Sequence, residues 1–195
     1  SGRRAAFMPY LMGGFPTIDG SRDVLRAYVD GGADLVELGV PFSDPLADGP
    51  VIHSAGVEAL RNGATTDRVL DLGAEVATEV PVVVMTYANL VLARGHEAFA
   101  AALAQRGISG LIVPDVPLEE GEDLLAACDA AGIALVPLIA PTTPDDRLAV
   151  IGARARGFLY TVSTLGTTGE RSDGEYAGLV RRAKEHTSVP VAVGF

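Results

Sequence analysis

Short runs of β-branched and aromatic residues alternate along the chain with longer stretches rich in Ala, Leu, Glu and Arg. The short runs read as strands, since they are apolar almost throughout and bounded by Gly, Pro or Asp. They lie at Phe7–Met12, Asp34–Leu38, Val82–Tyr87, Gly110–Pro114, Ala134–Ile139, Phe158–Val162 and Val191–Phe195. Helical periodicity fills the gaps, at about Ser21–Asp30, Val51–Arg61, Thr66–Glu79, Glu97–Gln105, Glu119–Ala131, Pro144–Arg154 and Glu175–Glu185. Gly31-Gly32, Gly107, Gly132 and Gly157 stand where a helix is expected to stop before the next strand. Thr143-Pro144 predicts a helix start, with Thr as cap and Pro at the first helical position.

A run such as Val82-Val83-Val84-Met85 has no polar alternate, so both of its faces are expected to be buried. Parallel sheets covered by helices have that property. Seven strand–helix units in 195 residues leave two architectures. An open doubly wound sheet normally carries a G-x-G-x-x-G turn after its first strand, and Gly13-Gly14-Phe15-Pro16-Thr17-Ile18-Asp19-Gly20 lacks that spacing. A complete (β/α) barrel takes about 250 residues. The expectation is an α/β chain of the TIM (β/α)8 barrel type with about seven of its eight strands present. No linker or charge block divides it, so residues 1–195 are expected to form a single barrel domain, incomplete at its C-terminal end.

Composition narrows the chemistry. The apolar runs fall far short of the roughly 20 residues that cross a bilayer, and no basic, apolar leader opens the chain. Cys128 is the only cysteine, which excludes an internal disulfide and a thiolate metal cluster and fits a reducing, cytoplasmic setting. A formal charge of −10 argues against nucleic acid and leaves any anionic substrate dependent on local donors. Lys184 is the only lysine and falls on a solvent-facing helical stretch. Schiff-base and pyridoxal-phosphate enzymes need a lysine at the reacting centre, so carbon–carbon bond chemistry here must proceed without an imine.

The most informative segment is Leu35–Pro50. Glu37 lies inside an apolar run, where an acid costs free energy unless it meets solvent, a partner or a ligand. Asp44 and Asp48 follow on a connector stiffened by Pro41, Pro45 and Pro50. Further polar residues gather where strands end: Tyr87, Asn89, Asp115, Tyr160 and Ser163. In barrel enzymes that end carries the active site. On the residues alone each has a plainer alternative. Glu37 can pair with an arginine, Asp48 can belong to an Asp-Gly turn, Asp115 can hold a loop, and Tyr160 can be core with a wet hydroxyl. His53, His96 and His186 read as helix-surface residues without ligand spacing. The long polar connector Ser163–Gly174, rich in glycine, reads as a closing lid.

From about Phe7 to the last residue, the chain closely resembles the tryptophan synthase alpha subunit family. The resemblance rests on Glu37 through Pro50, Met85-Thr86-Tyr87-Ala88-Asn89-Leu90-Val91, Pro114-Asp115-Val116-Pro117, Thr167-Thr168-Gly169 and Gly194-Phe195. It implies retro-aldol cleavage of indole-3-glycerol phosphate to indole and glyceraldehyde 3-phosphate, without a metal or other cofactor. By the same resemblance Glu37 and Asp48 match the two catalytic acids. Tyr10, Tyr87, Ile112, Ile139, Tyr160 and Thr168 match substrate-binding positions, and Gly169 and Gly194 phosphate-binding ones. Asp44 and Pro45 match a loop facing the beta subunit, the partner in an alpha2beta2 heterotetramer. A helix before the first strand and a glycine and serine-bearing turn after Phe195 belong to the family pattern but not to this sequence. If 195 residues are the whole chain, poor phosphate affinity is expected.

Two further readings stay open at this point. A metal-dependent phosphosugar aldolase or epimerase would gather Glu37, Asp44, Asp48 and His53 around a divalent ion. A non-catalytic barrel serving only to bind and activate another subunit would use exposed apolar edges instead.

Overall fold

The computed structural model describes residues 4–162 and 173–194. It opens with β1 (Tyr10–Met12), α1 (Ile18–Asp30), β2 (Val36–Gly39), α2 (Pro50–Arg61) and α3 (Thr66–Val76). Next come β3 (Val82–Met85), α4 (Ala88–Arg94), α5 (His96–Gln105), β4 (Gly110–Ile112) and α6 (Glu122–Ala131). The chain then runs through β5 (Ala134–Leu135), β6 (Leu138–Ile139), α7 (Asp145–Arg154), β7 (Leu159–Val162), α8 (Asp173–His186) and β8 (Val191–Gly194). All strand pairs are parallel, in the orders β1-β2-β3-β4-β5 and β6-β7-β8.

The expected strand Ala134–Ile139 is therefore two strands, and Pro137 explains the break. Val136 N–H still donates to Leu111 O at 2.9 Å, whereas Pro137 has no N–H to continue that ladder. Its carbonyl instead accepts from Tyr160 N–H at 3.0 Å. One stretch of chain thus changes partner from β4 to β7 within two residues. The seven expected strand positions are all occupied, one of them in two pieces.

Burial on both faces distinguishes the two architectures. On the outer face Val36, Leu38, Val82, Val84 and Leu111 pack against Leu25, Leu70, Phe99, Leu103 and Leu124 of the helices. On the inner face Val83, Ile112, Val136 and Phe158 form one cluster, joined by Met8, Leu35, Met85, Leu138, Tyr160 and Ala192. Met8 precedes the first strand and Ala192 lies on the last. Only a sheet curved around its own interior brings both ends into one core, as in a TIM barrel. Among the described residues no pairing joins β1 to β8.

Local signals explain most boundaries. Gly32, Gly107, Gly132 and Gly157 have φ of 86°, 70°, 73° and 65°, so the expected stops do use the left-handed region. Thr17 and Thr65 cap α1 and α3 by accepting from Gly20 N–H and Arg68 N–H. Two expectations need correction. Pro144 is the cap of α7 rather than its first residue, while Thr143 Oγ1 accepts from Ala140 N–H instead. Helix α4 falls between the expected strand Val82–Tyr87 and the expected helix Glu97–Gln105, in a stretch assigned to neither.

Exposed ion pairs link neighbouring helices, such as Arg22–Glu75 and Arg182–Asp145, each worth little individually. Among the described residues no helix is long and apolar enough to cross a membrane. At the α7–α8 contact a Cβ on Gly152 would meet the carbonyl group of His186, a backbone group that cannot turn aside. Gly152→Ala is expected to destabilise the fold by about 2 kcal/mol through forced separation of the two helices, read from urea denaturation.

Candidate active site

Glu37 sits in the middle of β2, opposite Tyr10 on β1 and Val83 on β3. Strand alternation places it on the inner face, between Leu35 and Gly39, and it is 4% exposed. Its contact is a phenol: Tyr160 Oη donates to Glu37 Oε2 at 3.3 Å. No arginine pairs with it among the described residues. Burial pushes its pKa up to about 7, against a smaller downward pull from Tyr160.

Asp48 lies on the loop between β2 and α2. Its Oδ1 accepts from Tyr87 Oη at 2.9 Å, and the same phenol oxygen accepts from Ala47 N–H at 3.1 Å. The Tyr87 ring stacks on Phe42, with centroids 5.4 Å apart. One tyrosine at the end of β3 thus fastens the loop at three places. The alternative of a left-handed Asp-Gly turn is not what forms, because Gly49 is extended (φ −71°, ψ 166°) and caps α2 ahead of Pro50. Burial raises the pKa of Asp48, while Tyr87 and the nearby His53 pull it down.

Tyr10 joins the two acids. Its hydroxyl is buried and has no hydrogen-bond partner among the described residues. It lies over Gly39, where any Cβ would collide with it. Its pKa is raised first by burial and then by the charges of Asp48 and Glu37, with smaller effects from Tyr87 and Tyr160. Residues 10, 37, 48, 87 and 160, scattered in sequence, are therefore brought together in the barrel.

The other expected positions divide. Ile112 faces the interior beside Val83, Val136 and Phe158. Ile139 does not: it packs with Leu148, Ile151, Leu159 and Leu179 on the helix side of the sheet. Adjacent strand residues face opposite ways, so Leu138 takes the interior position instead. Gly194 ends β8 opposite Val162, and Tyr160 fills the space that a side chain there would need. Thr168, Gly169 and most of the expected lid lie outside the described residues. Asp44 is exposed and bonds to its neighbour Ser43; Pro45 is half-buried.

Phe42, Gly39 and Leu138 also shape the site and were not singled out in the sequence. Leu138 was within reach of strand alternation alone, but the role of Gly39 required seeing Tyr10 lie across it. The metal reading finds no support in geometry: Glu37 points inward, Asp44 outward, and no three donors among the described residues are grouped to hold an ion. A separate cleft of about 220 Å³ lies between α6 and α7. Its titratable side chains, Arg147 and Arg154, are already paired to Glu119 and Glu122, so it offers no acid for the chemistry.

The family model described as tryptophan synthase alpha chain matches residues 1–195. The tryptophan synthase alpha chain of Prochlorococcus marinus (strain MIT 9313) is 47% identical over 196 residues, covering 98% of this chain and 71% of the relative. That of Methanosarcina mazei is 46% identical over 195 residues, covering 99% and 71%. Among solved structures, Mycobacterium tuberculosis tryptophan synthase superposes with a TM-score of 0.93 at 40% identity, covering 98% of this chain and 75% of that one. A structure of the tryptophan synthase a2b2 complex from Pyrococcus furiosus gives a TM-score of 0.90 at 38% identity, covering 97% and 78%.

Asp115, at the end of β4, accepts from Ala88 N–H at 2.9 Å and so caps α4 from another strand. Asp115→Ala is expected to cost about 1 kcal/mol in thermal or urea unfolding, and Asp115→Asn, which keeps an acceptor, less than half of that.

Proposed function

The chain belongs to the tryptophan synthase alpha chain family, and on that premise we propose that Glu37 and Asp48 are the two acids through which it works. It is a lyase of tryptophan biosynthesis that cleaves indole-3-glycerol phosphate to indole and glyceraldehyde 3-phosphate. The observation that carries the assignment is Glu37: a carboxyl inside the barrel, held by a phenol and shifted by burial to about 7. Such a group gives and takes protons near neutral pH.

In the proposed sequence protonated Glu37 delivers its proton to the ring carbon that carries the side chain. The positive charge that develops reaches the ring nitrogen, where ionised Asp48 accepts the N–H hydrogen bond and stabilises it. Glu37, now a carboxylate, takes the proton of the side-chain hydroxyl beside the breaking bond. The carbon–carbon bond opens, its electron pair returns to the ring, and the hydroxyl oxygen becomes the aldehyde carbonyl. Glu37 ends with the proton count it began with. Lys184 is exposed on α8, which agrees with a route free of any imine.

Tyr10, Tyr87, Tyr160 and Ile112 form the wall for the substrate, and Leu138 stands where Ile139 was expected. Family resemblance supports Thr168 in closing the site and Gly169 and Gly194 in holding the phosphate. For the partner, Leu46 and Val51 flank Asp48 and are 85% and 79% exposed, an apolar surface beside Asp44 and Pro45 suited to docking. A beta subunit seated there, in an alpha2beta2 assembly like the Pyrococcus furiosus complex, would touch the loop that carries a catalytic acid. The buried free Cys128 is consistent with a cytoplasmic location.

Glu37→Gln is expected to lower indole release by about 100- to 10,000-fold, and Asp48→Asn by about 100-fold or more, with far-ultraviolet circular dichroism unchanged. Near-normal turnover in the Glu37 variant would remove it from the reaction. The pH profile gives an independent check. The first step needs protonated Glu37, so kcat/KM should fall as pH rises through about 7. Tyr160 holds that pKa down, so Tyr160→Phe is expected to move the alkaline limb to higher pH.

A further inference from the structure

Apart from Tyr10, three tyrosines among the described residues have work for their hydroxyls. Tyr87 donates to Asp48, Tyr160 to Glu37, and Tyr28 to the backbone carbonyl of Tyr10. Among the described residues Tyr10 has no such partner, although its hydroxyl is buried. Leaving a buried O–H unpaired costs about 1–3 kcal/mol, and phenylalanine would fill the same space without that cost. The fold also makes room for this ring in particular: it lies across Gly39, the one residue of β2 without a side chain to displace it. Tyr10 and Glu37 are register neighbours on β1 and β2, and the hydroxyl lies within the electrostatic reach of both acids.

On the proposed function above, that space is where the substrate's side-chain hydroxyls and ring nitrogen must pass between Glu37 and Asp48. We propose that Tyr10 is a further catalytic residue, whose hydroxyl donates a hydrogen bond to the substrate hydroxyl oxygen that Glu37 deprotonates. The bond strengthens as negative charge gathers on that oxygen during carbon–carbon cleavage, and so favours the transition state over the bound substrate. A phenol suits the task because burial and the two neighbouring acids keep it protonated, hence a donor, throughout the working pH range. The substrate oxygen completes the hydrogen bond that no described residue completes.

The test is Tyr10→Phe in the chain combined with its beta subunit, assayed for indole release from indole-3-glycerol phosphate. The expected result is a loss of about 100-fold in kcat with KM within about twofold of the parent, because the interaction is made mainly in the transition state. Melting temperature should be unchanged or raised, since the substitution removes an unpaired buried group. An analogue carrying indole and phosphate but no side-chain hydroxyls should bind parent and variant equally. The inference is overturned by kcat/KM within about twofold of the parent, or by weaker binding of the dehydroxylated analogue to the variant, which would mark a packing role. A parent protein that releases no indole would instead defeat the underlying functional reading, so the two failures are distinguishable.

Discussion

Glu37 occupies an interior position of a parallel strand, with apolar neighbours above, below and on the adjacent strands, and its hydrogen-bond partner there is a neutral phenol. A guanidinium in place of that phenol would hold the carboxyl permanently ionised and end its use as a proton donor. The phenol partly satisfies the carboxylate while leaving the neutral form accessible. The arrangement detracts from stability. Folding raises the pKa from 4.5 to about 7, so the folded state holds the proton more tightly than the unfolded chain does. Stability therefore declines as pH rises through that interval, by roughly 3 kcal/mol in total. The extensive apolar layers on both sides of the sheet offset that penalty.

Around this carboxyl the barrel uses tyrosines as adjustable connectors. Tyr160 reaches from β7 to the acid on β2, across a space that Gly194 leaves empty. Tyr87 holds the loop bearing Asp48 against the end of β3 through its hydroxyl and its stacked ring. Both rings reach parts of the chain far away in sequence. The second acid thus rides on a loop that is pinned on its inner side, while Leu46 and Val51 remain exposed on its outer side. A protein seated against those residues would be coupled directly to the position of Asp48.

The strand–helix alternation, the parallel sheet buried on both faces and the glycine stops were legible in the sequence because each depends on residues close together in the chain. The same holds for the role of Glu37 as an unusual acid, since a lone carboxylate in an apolar run is anomalous whatever surrounds it. Features that rest on distant contacts were not legible. Helix α4 begins where it does because Asp115, 27 residues away, accepts from Ala88 N–H. Strand β5 ends where it does because Pro137 passes its carbonyl to Tyr160. Ile139 differs from these: Val136 and Leu138 keep to the inner face, so strand alternation alone places Ile139 toward the helices, against the position that family resemblance implied.

By itself the sequence determined the fold class, the acidic loop and the absence of a usable lysine, all consequences of residue type and local periodicity. Only the tertiary structure decided that Tyr160 rather than an arginine meets Glu37, that Asp48 is held by Tyr87 rather than by a turn, and that the buried Tyr10 hydroxyl beside Glu37 finds no partner among the described residues. These are matters of which strands become neighbours when a sheet curves onto its own interior. Curvature brings positions 10, 37 and 160 together, and no spacing within the chain encodes that distance.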